Sequence, residues 1–121
     1  MKAKQRNKKK GTPNEVVLAE VIRAMDPHAI VTQGEWVSGP DGRRDRDVFV
    51  TGTLDGQRRT VLIECKDYDP LKTGRVGIGV VDALESKRRD LNVDVSMICS
   101  NAGFAQDAVR KARRVGIGLI G

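Results

Sequence analysis

The sequence predicts an α/β domain in which a mixed sheet carries helices on both faces. An Asp55-Gly56 turn sits between two runs rich in Val, Ile and Leu. That is the pattern of an antiparallel hairpin, because those turn residues tolerate the positive φ of a primed turn. Downstream, a helical period, an alternating run and a second helical period describe a βαβ crossover, which makes parallel neighbours. At 121 residues the chain is long enough for one domain with a buried core and too short for a second independent one.

Each element has its own local reason. Thr12-Pro13-Asn14 opens a helix expected from Asn14 to Met25, which Asp26-Pro27 ends. Its apolar stripe is read as Leu18, Ile22 and Met25, with Glu15 on or beside that stripe and Glu20 turned to solvent. An extended run from Ala29 to Val37 stops at the turn cluster Ser38-Gly39-Pro40-Asp41-Gly42. The hairpin strands are expected over 46–54 and 58–66, and residues 67–77 read as a loop. The next helix, from Ile78 to Leu91, should turn Val81, Leu84 and Leu91 inward and Lys87, Arg88 and Arg89 outward. Val93, Val95, Met97 and Cys99 alternate onto one face of the following strand. A last helix from Phe104 to Val115 buries Ala105, Ala108, Val109 and Ala112, Gly116 suits its C-terminal cap, and Ile117 to Ile120 forms a short final strand.

The net charge of +6 is unevenly placed. Lys2, Lys4, Arg6, Lys8, Lys9 and Lys10 stand together without an acid, and the remaining 16 basic residues balance the 16 acidic ones. Residues 1–11 therefore read as a basic tail, disordered alone because it has little apolar surface to bury, and suited to displacing counterions from a polyphosphate. Residues 12–121 are the folded domain. Aromatic residues are scarce, which argues against stacking on single-stranded bases as the main binding mode. Cys65 and Cys99 lie in strand-like runs as small hydrophobes, so neither a disulfide framework nor a zinc cluster is expected. The lysine-rich start is not followed by the apolar segment of a secretory signal, and a cytoplasmic, nucleoid-associated protein without membrane contact is expected.

Register about the turn brings the chemistry together. If Leu54 faces Gln57 and no bulge intervenes, Asp47 arrives opposite Glu64, with Cβ atoms roughly 4.5–5.5 Å apart. Lys66, two residues beyond Glu64, joins that face through the strand period of two. Paired carboxylates repel unless a cation lies between them, and Mg²⁺, with Mn²⁺ as a substitute, takes such oxygens. Asp47 and Glu64 are thus expected to bind the metal, with the main-chain carbonyl of Cys65 adding an oxygen, Glu15 completing the shell or helping to bind a second ion, and Lys66 orienting or helping to deprotonate the attacking water. A slip of one residue would turn Asp47 to the other face and leave Asp45, otherwise a salt-bridge partner opposite Lys66, as its substitute. Lys72 and Arg75, in the glycine-bearing loop after Lys66, can approach a phosphate backbone, as can Lys8, Lys9 and Lys10. Arg110, Lys111, Arg113 and Arg114 suit a solvated helix face, and His28 suits the surface.

The stretch Gly42-Arg43-Arg44-Asp45-Arg46-Asp47-Val48-Phe49-Val50, followed by Val61-Leu62-Ile63-Glu64-Cys65-Lys66, resembles the core of the PD-(D/E)XK nuclease superfamily. Val93 to Ser100, Phe104-Ala105-Gln106-Asp107-Ala108 and Gly116-Ile117-Gly118-Leu119-Ile120-Gly121 are similar to the catalytic domain of Mrr-like restriction endonucleases. The resemblance implies a restriction-endonuclease-like αβββαβ core, with Asp47, Glu64 and Lys66 at the acid, acid and lysine positions and Glu15 as the first-helix acid. No Pro precedes Asp47, and no separate specificity domain is expected beside the core.

The functional expectation is a Mg²⁺-dependent DNA endonuclease acting as a homodimer, since one small core makes one cut. A Holliday junction resolvase of the same fold is the alternative within that class. A non-catalytic nucleic-acid-binding module that keeps the fold is the alternative outside it.

Overall fold

The computed structural model describes residues 13–54, 56–67 and 74–121. Its elements are α1 (Pro13–Met25), β1 (Ile30–Gly39), β2 (Gly42–Leu54), β3 (Gln57–Lys66), α2 (Ile78–Asp90), β4 (Val95–Ser100), α3 (Gln106–Val115) and β5 (Gly118–Ile120). The expected tail lies outside the described residues, as does Asp55 of the turn. Among the described residues no helix is long and apolar enough to cross a membrane.

The strands form one sheet in the order β1-β2-β3-β4-β5. The first three pair antiparallel, whereas β3–β4 and β4–β5 pair parallel, so the hairpin feeds a βαβ crossover as the sequence predicts. Leu54 faces Gln57, Gly56 takes a φ of +76°, and the bulge-free ladder runs back to Val48 opposite Ile63. The next step in that register brings Asp47 and Glu64 together.

Two apolar clusters hold the layers. Val31, Val48, Val50, Ile63 and Cys65 pack under α1 through Ala19, whereas Leu62 and Ile98 pack under α2 and α3 with Val81, Leu84, Ala108 and Ala112. Alternation along β2 and β3 therefore assigns Val48 and Cys65 to the α1 side and Phe49 and Leu62 to the other. Gly116 ends α3 in the left-handed conformation, with its N–H on the Ala112 carbonyl.

Three packing expectations change. Met25 is 80% exposed, because the stripe of α1 is centred on Glu15, Ala19 and Ile22, and Met25 is rotated about 80° from Glu15 at 100° per residue. Val93 does not share a face with Met97 and Cys99. It precedes β4, bonds its N–H to the Arg88 carbonyl, and packs with α2 and α3. Lys87 does not point outward: only 6% of the residue is exposed. It continues the row Val81, Leu84, Lys87 at spacings of three, which places it on the sheet-facing side of α2.

Candidate active site

The hairpin and the crossover helix build one acidic cluster. Asp45 and Asp47 stand two apart on β2, so they share a face, and Glu64 occupies the matching position of β3. One carboxylate oxygen from each of Asp45, Asp47 and Glu64 lies within 4.8 Å of the other two. Asp47 is buried at 3% exposure, and its Oδ2 accepts the main-chain N–H of Cys65 at 2.9 Å. That bond continues the cross-strand connection one step past the backbone ladder.

Two ammonium groups flank Glu64. Lys66 Nζ lies 3.2 Å from Oε2, and Lys87 Nζ lies 3.1 Å from Oε1 while donating to Asp45 Oδ1 at 2.8 Å. Lys87 is the residue that sequence reasoning missed. Its signal was present as a lysine continuing an apolar row of α2, where a long charged side chain stays only if it reaches a partner. Asp45 enters the cluster and pairs with Lys87.

The remaining sequence-predicted residues are less closely gathered. Glu15 is buried on α1, outside the trio, yet near enough that its charge adds to the forces on the Cys65 thiol. Burial foremost, then the Asp47 charge, pushes that thiol far above its ordinary range, so it behaves as an inert hydrophobe. Cys65 meets the cluster through its main chain, by the N–H that Asp47 holds. Arg75 is exposed beside buried Val76, which is fixed by hydrogen bonds with Gly103 and Ala105. Lys8, Lys9, Lys10 and Lys72 lie outside the described residues.

The Mrr_cat family model, described as restriction endonuclease, matches residues 9–121. The chain belongs to the Mrr_cat restriction endonuclease family. No curated protein matches it. Among solved structures, this Mrr_cat domain is similar to AF1548, a protein of unknown function, at a TM-score of 0.72 and 21% identity over 88% of this chain and 55% of that one. It is also similar to the DNA modification-dependent restriction endonuclease AspBHI, at a TM-score of 0.54 and 17% identity over 92% of this chain and 33% of that one. The restriction endonuclease MspJI, solved with a 27-mer oligonucleotide, matches at a TM-score of 0.52 and 18% identity over 88% of this chain and 24% of that one. The chain thus spans about half the length of AF1548 and a third or less of the two endonucleases. At these identities the likeness is one of fold, and it agrees with the mixed sheet described above.

Divalent-ion use is typical of the restriction-endonuclease fold, and the donor set of this Mrr_cat domain suits it. Three convergent carboxylates offer hard oxygen donors without a competing thiolate, the chemistry that hard divalent cations favour.

Proposed function

We propose that the chain is the catalytic core of a Mg²⁺-dependent DNA endonuclease of the restriction or DNA-processing type, with Mn²⁺ able to substitute. The observation that carries this reading is the convergence of Asp45, Asp47 and Glu64 beside Lys66, within a fold whose relatives include DNA-cutting enzymes.

In this reading Asp47 and Glu64 would hold the ion, with Asp45 beside them and the Cys65 carbonyl and Glu15 as further donors. When bound, a divalent ion supplies a water of lowered pKa and positive charge against the developing phosphorane oxygens. Lys66 Nζ, beside Glu64 Oε2, is the proton-bearing group placed to orient an attacking water. Asp47 fixes the backbone between Glu64 and Lys66 by holding the Cys65 N–H, so both side chains keep one spacing. Lys8, Lys9, Lys10, Lys72 and Arg75 grip phosphates, the protein acts as a homodimer, and it works in the cytoplasm against nucleoid DNA.

Supercoiled plasmid incubated with Mg²⁺ or Mn²⁺ should be nicked or linearised by the wild type and left intact by Glu64→Ala. Equal cutting by both proteins would remove the site. Four-way junctions, linear duplex and methylated duplex, compared in the same assay, separate a resolvase from a restriction-type enzyme.

A further inference from the structure

Lys87 makes a claim on the same oxygens that the ion needs. Its side chain is 8% exposed, and its ammonium reaches Asp45 Oδ1 at 2.8 Å and Glu64 Oε1 at 3.1 Å. Both acids belong to the trio that converges within 4.8 Å. Lys66 differs in place and exposure: it touches the other oxygen of Glu64 from the same strand and is 28% exposed. A lysine from the helix packed against the Leu62 face of the sheet therefore reaches into the cluster.

An ammonium has only donors and one charge, whereas a divalent ion takes lone pairs and brings two. An ammonium that already occupies Asp45 Oδ1 and Glu64 Oε1 competes with a divalent ion for those same oxygens, and the two like charges repel at such range in a part-buried site. We propose that Lys87 is the internal counter-ion of the acidic cluster, and that it yields Asp45 and Glu64 to the divalent ion on binding. The proposal rests on the metal-dependent reading above. Without an ion, Lys87 offsets the repulsion among three close carboxylates and keeps the cluster compatible with a folded chain. With an ion, its ammonium leaves those oxygens. Lys87 thereby sets how tightly the site takes a cation, and is a positioning residue distinct from Lys66.

The sign of the effect separates this role from a merely structural one. Removing a lysine that only props up the site would loosen the acids and weaken ion binding. Removing a competitor strengthens it. Calorimetric titration of Ca²⁺ and Mg²⁺, without DNA, into wild type, Lys87→Met and Lys87→Arg reads the difference. Lys87→Met should bind about tenfold tighter or better, the direction expected when one positive charge leaves the cluster, and Lys87→Arg should stay near wild type. In the wild type, the ¹⁵N-labelled Lys87 ammonium signal should shift and exchange faster with water as Ca²⁺ is added, which decides the matter even if Lys87→Met does not fold. Unchanged or weaker affinity in a folded Lys87→Met, or a Lys87 signal indifferent to saturating Ca²⁺, would overturn the displacement while leaving the metal site intact. Absence of binding to wild type and both variants would overturn the metal site, and the displacement with it.

Discussion

The carboxylate of Asp47 holds the main-chain N–H of Cys65 at 2.9 Å, bridging β2 and β3 just beyond Val48 and Ile63, the last paired residues of their ladder. One side chain thus serves two ends, as a member of the acidic trio and as the fastening of the backbone that carries Glu64 and Lys66. Asp47→Ala removes the acceptor and leaves a buried N–H unsatisfied, which should cost about 1–3 kcal/mol of stability. Asp47→Asn keeps an acceptor and removes one of three close negative charges, so its fold should be as stable as wild type, or more so, without an ion. Urea denaturation of both variants measures this, and equal losses in the two would mean that the hydrogen bond contributes little.

Lys66 stands at the open side of Glu64, so its removal should act on the chemical step more than on the fold. Lys66→Ala should lower plasmid cleavage about 10²–10⁴-fold, the usual range for a lost proton-handling group, with DNA affinity within a few-fold of wild type. Gel-shift and nicking assays on the same preparation check the split. A variant that loses binding in proportion to cleavage would make Lys66 a phosphate contact instead.

Asp94 and Thr60 form a reciprocal clasp between β3 and the entry to β4. The Thr60 N–H and hydroxyl donate to Asp94 Oδ2, and the Asp94 N–H donates to Thr60 Oγ1. The Thr60 N–H first, then its hydroxyl and the nearby Arg59 charge, holds the Asp94 carboxyl below its ordinary range. A lowered folded-state pKa means a contribution present in full above the ordinary carboxylate range and lost as pH falls through the lowered value. Stability should therefore decline with acidification below about pH 4 more steeply in wild type than in Asp94→Asn. Melting curves from pH 6 down to pH 2.5 test the difference in slope.

Six cations crowd residues 1–10, and the rest of the chain is charge-balanced. Deleting those residues should weaken DNA binding and reduce the log–log salt slope by up to about 5, if every one of them neutralises a phosphate. Affinities measured between 50 and 200 mM salt give the slope. An unchanged slope would mean that the tail does not touch DNA.

Much of the site was legible because strand geometry is local. Leu54 opposite Gln57 sets the pairing, the period of two carries it outward, and Asp47 meets Glu64, which pairs with Lys66, without reference to the rest of the chain. The same locality explains the element order αβββαβαβ, which the structure reproduces with small shifts at the ends. Lys87 is hidden in the sequence because three adjacent cations, Lys87, Arg88 and Arg89, look like a solvated helix end, which masks the row that Lys87 shares with Val81 and Leu84.

By itself the sequence determined which register across the hairpin is favoured, because a tight turn and a two-residue period carry one pairing outward, and the bulge-free ladder from Leu54 to Val48 keeps it. Only the tertiary structure decided that α2 would deliver a lysine to Asp45 and Glu64, that Asp45 would join the acids, and that Asp47 would seize the Cys65 N–H. The reach of Lys87 depends on how α2 seats against Leu62 and Ile98 in the shared apolar cluster, and a helix's depth and rotation on a sheet are fixed by close packing between distant segments.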